Sequence, residues 1–208
     1  MARCRQHILR TFIKALVAIV LLAVPAGAAD RDPPELVEQL HRALLEVMQN
    51  ADRLGYAGRY ERLEPVLERS YDFPLMARVA AGRGWSDLSR EQRTLLIELF
   101  ARMSVATYAA RFDSFGGERF EITGEAPAPR EGVVVQSRIV RPADDPVGLH
   151  YVLRRSDDGW RIVDVLLDGK FSELARQRAE FSAVLRDGGF PALAASLEGK
   201  IEELESSG

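Results

Sequence analysis

The stretch LHYVLRRSDDGWRIVDVLL, residues 149–167, decides the fold class of this chain. Leu149 to Arg155 and Trp160 to Leu167 are runs rich in β-branched and aromatic residues, with Asp157-Asp158-Gly159 between them. Asp-Gly between two such runs marks a hairpin, because the tight turn needs positive φ and glycine adopts it without steric cost. Upstream, Arg119 to Thr123 and Val133 to Val140 read as two more strands, set apart by 127–132 and 142–146. These links are too short to hold a crossover helix, so the spacing predicts an antiparallel meander.

On both sides of the strands the apolar period changes to helical. Leu36, Val37, Leu40, Ala43, Leu44, Val47 and Met48 define a helix from Pro33 to about Asn50. Gly55 and Gly58 punctuate the chain, Pro65 sits early in a short helix carrying Val66 and Leu67, and Pro74 opens another that ends at Gly82 and Gly84. Asp72 is placed to cap that helix. Ser89-Arg-Glu-Gln92 fits a capping box for a long helix to about Phe112. Its apolar residues, Leu95, Leu96, Leu99, Phe100, Met103, Val105, Ala106, Tyr108, Ala109 and Phe112, are too widely spread for one stripe and predict burial around most of the helix. Ser172 to Leu185 is helical again, Gly188-Gly189 ends it, and Pro191 starts a last helix to about Leu204. Helices, then strands, then helices give an α+β layout around one sheet.

The first 28 residues have a different character. Arg3, Arg5, Arg10 and Lys14 precede an apolar run, Ala15 to Val24, followed by Pro25 and Ala26-Gly27-Ala28. That is the layout of a secretory signal peptide cleaved after Ala28, and the run is too short to span a bilayer comfortably. Residues 29–208 then form a single domain, with 29–117 mainly helical, 118–168 the sheet and 169–208 the closing helices. Beyond residue 29 the chain carries 24 bases against 31 acids, so no basic excess points to nucleic acid. Cys4 is the only cysteine and precedes the apolar run, so the exported chain has no thiol for a disulfide, a nucleophile or a metal.

A search for catalytic chemistry finds little. His41 sits beside polar residues on the first helix and reads as a surface or boundary residue, and His150 begins a strand at a hairpin edge. Neither falls in a metal-ligand spacing, and no nucleophile elbow or phosphate loop occurs. Asp164 interrupts an otherwise apolar strand; it is either a buried general base or, better, an ion-pair partner of Arg178 or Arg154. The chain instead offers apolar surface at two periods, which serves either a large filled core or a cavity between helices and sheet.

The segments Tyr71-Asp-Phe-Pro-Leu-Met-Ala-Arg78, Gly84-Trp85-Ser86 and Leu88-Ser-Arg-Glu-Gln-Arg93 resemble the helical half of the Mla-type periplasmic lipid carriers, also called toluene-tolerance auxiliary proteins. Phe100, Thr107-Tyr108-Ala109, Phe112 and Phe115-Gly-Gly117 continue the likeness, and so do Gly159 to Val165, Gly169, Arg178-Ala-Glu-Phe181, Gly189 and Leu193. The resemblance spans about 33–204. It implies a nuclear-transport-factor-2-like twisted antiparallel sheet packed with a helical subdomain around an apolar cavity for lipid tails. It also implies exchange of lipid with an inner-membrane transporter complex and an outer-membrane lipoprotein complex, without cofactor or catalytic residue. Gly169-Lys170-Phe171-Ser172 carries one residue more than the main branch, and Gln177 stands where that branch has tyrosine. Both features are closer to the hopanoid-biosynthesis-associated branch.

The resulting expectation is a monomeric periplasmic shuttle for phospholipid or hopanoid. Leu99, Phe100, Met103, Tyr108 and Phe112 of the long helix, Val135, Ile139, Val163 and Val165 of the sheet, and Phe181 would line the tail site. The rival readings are an exported enzyme using Asp164 and an adaptor with a filled core.

Overall fold

The computed structural model describes residues 32–208 except Ala143; the expected signal peptide, with its expected cleavage after Ala28, and Cys4 lie outside the described residues. Helix α1 (Pro33–Gln49) begins where the Asp32 side chain accepts the Glu35 N–H, with proline in the first turn. A free N–H is not needed there, so proline costs nothing. Its apolar stripe, Leu36, Val37, Leu40, Leu44, Val47 and Met48, is buried.

Helix α2 (Ala51–Ser70) differs from the sequence expectation. The chain breaks helical geometry at Gly55 (φ 59°, ψ −177°), not at Gly58, and Pro65 lies late in a long helix instead of early in a short one. Burial of Leu63 and Leu67 on either side of Pro65 holds the helix through the lost hydrogen bond. Helix α3 (Phe73–Ala81) is capped by Asp72, which accepts the Leu75 N–H at 3.0 Å, and passes into a 3-10 turn at Gly82–Asp87. Helix α4 (Arg90–Arg111) opens with the expected reciprocal capping box of Ser89 and Gln92. It is buried along 96, 99, 100, 103 and 106 and again at 105 and 109, but Leu95 is 37% exposed, so one side faces water.

The strands are β1 (Arg119–Ala128), β2 (Gly132–Val140), β3 (Val147–Ser156), β4 (Gly159–Leu167) and β5 (Phe171–Ser172). They form one antiparallel sheet in sequence order, the expected meander. β1 runs on through Pro127, which the sequence assigned to a loop. An edge strand tolerates proline because its outward N–H has no ladder partner. Bulges at Ile122/Gly124 and opposite Val152/Leu153 interrupt the period of two. Val135, Tyr151, Leu153 and Ile162 share the face that the helices cover.

Helix α5 (Glu173–Ser207) is two helical limbs joined at Gly189 (φ 66°), with Pro191 just beyond, as the glycine pair and proline predicted. Its start corrects the expectation for Asp164. That carboxylate pairs with neither Arg178 nor Arg154. One oxygen accepts the backbone N–H groups of Val165 (2.8 Å) and Leu174 (3.0 Å), and the other accepts the Ser172 hydroxyl (2.6 Å). Ser172 in turn accepts the Ala175 N–H at 2.8 Å. Asp164 is thus a helix cap supplied from the neighbouring strand, and its engaged oxygens remove the feature that suggested a general base.

Asp164→Ala leaves three half-buried donors without their acceptor and should cost about 2–3 kcal/mol, lowering Tm by roughly 5–10 °C for a domain of this size. Asp164→Asn keeps one accepting oxygen and should lose less than half as much. Thermal unfolding followed by circular dichroism measures both.

Candidate functional site

Between the helices and the inner face of the sheet runs an unbroken chain of rings. Phe181 on α5 meets Phe100 on α4 edge-on at 6.0 Å, and Phe100 meets Phe73 at 6.2 Å. Phe73 stacks with Tyr71 (5.5 Å), Tyr71 meets Tyr108 (6.1 Å), and Tyr108 stacks on Phe112 (5.6 Å). From Phe112 the chain passes to Phe120 on β1 and ends at His41, stacked on Phe120 at 4.4 Å and tilted against Tyr151 at 5.5 Å. Offset and edge-to-face rings attract through their quadrupoles by about 0.5–1.5 kcal/mol per pair beyond area burial.

Its polar atoms are few and neutral at physiological pH. The Tyr71 and Tyr108 hydroxyls hydrogen-bond to each other. Burial pushes the Tyr108 hydroxyl up to about 12 and those of Tyr71 and Tyr151 well above the ordinary phenol value. His41 is 5% exposed and its Nε2 has no partner in the structure. Burial lowers its pKa to about 4, so the ring is uncharged. Such a surface suits apolar matter.

The ten residues read from the sequence as tail-lining occupy this layer unequally. Leu99, Phe100, Met103, Val135 and Phe181 belong to one buried cluster, with Tyr108, Phe112 and Val165 packed against it. Ile139 is half-buried opposite Phe120, towards the end of β2, and falls outside that cluster. Val163 takes the extra place of the β4 bulge, so Ile162 and not Val163 lies opposite Leu153 in the core. Leu99, Phe100 and Val135 have no exposed surface at all: here the layer is packed at these side chains. A recess of about 530 Å³ opens elsewhere, between α2, α3 and α4, with Tyr71 and Phe73 at its wall and Glu64, Glu68, Glu98 and Arg102 around it. None of the ten lines it.

The sequence reading missed His41, Tyr71, Phe73, Phe120 and Tyr151. For His41 the signal was present: 37, 41, 44 and 48 fall on one helical stripe, and the flanking Gln39 and Arg42 concealed it. The expectation of a surface or boundary histidine is therefore corrected. Tyr151 follows from register alone, because it pairs with Val135 on β2 and Val165 on β4 on the covered face.

Comparison with known proteins adds a family. The model of the family described as MlaC protein matches residues 38–199. Among solved structures, the phospholipid-binding protein from Ralstonia solanacearum, determined in complex with a phospholipid, matches with a TM-score of 0.73 and 21% identity. The match covers 84% of this chain and 99% of that one, and at this identity it establishes the fold. No curated protein matches in sequence.

His41 generates a pH dependence. Its folded pKa is about 4 against 6.5 when exposed, so between these values the unfolded chain binds the extra proton and stability falls as pH falls. Between pH 7.5 and 4.5 the wild type should lose about 2–3 kcal/mol more than His41→Phe, which keeps the ring stack without a titrating group. Urea unfolding of both proteins at the two pH values measures the difference; parallel losses would contradict the burial argument.

Proposed function

The chain belongs to the MlaC protein family, and on that premise we propose that it is a lipid-binding carrier whose tail site is the ring-lined layer between helices and sheet. The observation carrying this reading is the continuity of that layer: rings from α3, α4, α5 and β1 form one neutral apolar seam. When the helices part from the sheet, acyl chains replace ring–ring contacts by contacts of similar strength, and no buried charge is left unpaired.

The physical need for a carrier is plain. At ~0.8 kcal/mol per methylene, two chains of about 15 methylenes face roughly 24 kcal/mol in water, gross. A seam of comparable apolarity makes transfer from a membrane nearly neutral, so small biases at each membrane set the direction. In this reading residues 1–28 are a signal peptide cleaved after Ala28, and residues 29–208 are a monomeric periplasmic shuttle. Its partners are an inner-membrane transporter complex and an outer-membrane lipoprotein complex. No helix among the described residues is long and apolar enough to cross a membrane.

Phospholipid is the ligand class favoured by the Ralstonia solanacearum protein, whose structure holds one. The turn at Asp168-Gly169-Lys170 and the half-buried Gln177 keep hopanoid as the alternative, to be decided by competition on delipidated protein. A second reading, a filled-core adaptor, draws on the absence of exposed surface at Leu99, Phe100 and Val135.

Solvent extraction of the protein purified from its native compartment, followed by mass spectrometry, separates the two. The carrier yields about one lipid per chain, whereas lipid-free protein that takes up none from vesicles is an adaptor. Phe112→Asp places an unpaired carboxylate in a half-buried wall position, where it is strongly disfavoured against acyl chains. Retained lipid should drop at least tenfold while circular dichroism stays native; a folded variant with full lipid would remove Phe112 from the site.

A further inference from the structure

We propose a second site, independent of whether the seam holds lipid: a recess between α3, the 82–87 turn and α5 that binds a phosphate-type oxyanion through Arg78, Arg83 and Arg178. The three side chains come from three separate elements and line one recess of about 470 Å³. None has an ion-pair or side-chain hydrogen-bond partner among the described residues. Several other arginines are neutralised, Arg62 by Glu46, Arg138 by Glu121, and Arg176, two residues from Arg178, by Glu173 and Glu180; what sets these three apart is that they converge on one recess. The chain has more acids than bases, so three gathered, unneutralised guanidinium groups do not reflect a shortage of carboxylates.

The backbone around the recess is built to closer tolerance than a surface turn requires. Gly82 has φ +59°, and a Cβ there would stand 3.2 Å from Ser182 Oγ and 3.5 Å from Arg178 Nε, so glycine lets the Arg178 side chain lie along the turn. At Gly84 a Cβ would meet Leu185 Cδ1 at 2.8 Å, so the turn seats directly on α5. Arg93 fixes the other side, with its guanidinium 5.5 Å over the Trp85 ring and donating to the Trp85 and Ser86 carbonyls at 3.1 Å each. The Ser86 hydroxyl donates to the Arg83 carbonyl at 2.9 Å, which ties the backbone beneath that guanidinium.

Ligand class follows from donor geometry. Each guanidinium presents a planar fork of N–H donors, and a pair of oxygens satisfies one fork. A carboxylate brings two oxygens and saturates a single arginine. A phosphate group brings three or four around one centre, enough to be shared by forks arriving from three directions. The recess is also roomier than a bare phosphate ion requires and has Val79 and Trp85 beside the arginines, which accommodates an esterified phosphate. The same chemistry is found in soluble phosphate esters and in the headgroup of a phospholipid.

The test uses the purified mature protein at physiological salt. Calorimetric titration with inorganic phosphate and with sn-glycerol 3-phosphate probes the soluble source. Cosedimentation with phosphatidylcholine vesicles doped with phosphatidic acid, or with oleate at equal charge, probes the headgroup. The proposal expects saturable binding of at least one phosphate probe, weakened at least tenfold by Arg78→Ala/Arg178→Ala and unchanged by Arg186→Ala, an exposed arginine paired with Asp187. Binding of the soluble esters assigns a free phosphate compound, and binding only to phosphatidic acid vesicles assigns the headgroup. Equal binding to oleate vesicles overturns the proposal, as does capture of a polyglutamate peptide without any phosphate probe, or phosphate binding that the double variant retains. All three arginines are exposed and make no packing contact that the core depends on, so a native circular dichroism spectrum is expected of the variant.

Discussion

The helical half is pinned to the sheet at one short segment, and the arrangement of the layers depends on that pin. Between α2 and α3 the chain is extended at Tyr71, which bridges Ile162 of β4, and the Asp72 N–H donates to the Ile162 carbonyl at 2.9 Å. The Arg161 guanidinium reaches back to the Arg69 carbonyl. Two residues therefore do several jobs: Asp72 caps α3, Tyr71 joins the ring chain, and their backbone extends the hydrogen bonding of β4. A backbone hydrogen bond in this position is directional and costly to leave unmade, whereas the far side of the seam, at His41 and Phe120, is held by ring contact and apolar burial. Under the carrier reading the layers separate from the α1–β1 side and hinge about residues 69–72.

The seam's polar groups are compatible with such opening because all stay neutral. A charged group in the same place would need a permanent partner, and breaking that pair would cost several kcal/mol each time the layers moved. Histidine, kept uncharged by burial, and tyrosines bonded hydroxyl to hydroxyl avoid this cost. Their hydroxyls also give the seam a few fixed points without making it wet.

Much of this was legible in the sequence where a residue's own chemistry decides the local geometry. Asp157-Asp158-Gly159 made its hairpin, Ser89 and Gln92 made their capping box, and Gly189 broke the last helix, each through a turn or cap that needs no distant contact. What escaped depends on tertiary context. A bulge cannot be read from alternation, and the one beside Val152 moves Val163 off the position that the period of two assigns to it. Pro65 lies within a helix because the buried Leu63 and Leu67 hold it there, although local propensity argues for a start. His41 was concealed because polar Gln39 and Arg42 stand close to it in sequence, while its neighbours on the helix face, Val37, Leu44 and Met48, are apolar.

Asp164 shows how such context fixes one element against another. The segment Gly169–Ser172 joins a strand to a helix whose relative position is fixed by one carboxylate. Asp164 belongs to β4 and holds Ser172 and Leu174, so the first turn of α5 is tied to the strand whatever the length of the link. The chain turns before the cap, at Asp168 (φ 51°) and Gly169 (φ 68°), where Asp168 also accepts the Gly148 N–H at 3.0 Å and the Lys170 N–H donates to the Leu167 carbonyl. Phe181, two turns further along α5, keeps its place against Phe100. Residues 169–172 make no contact with the ring chain, so the loop is separate from it. The carboxylate of one strand therefore fixes where the last helix starts, and the loop between them is free to vary without moving it.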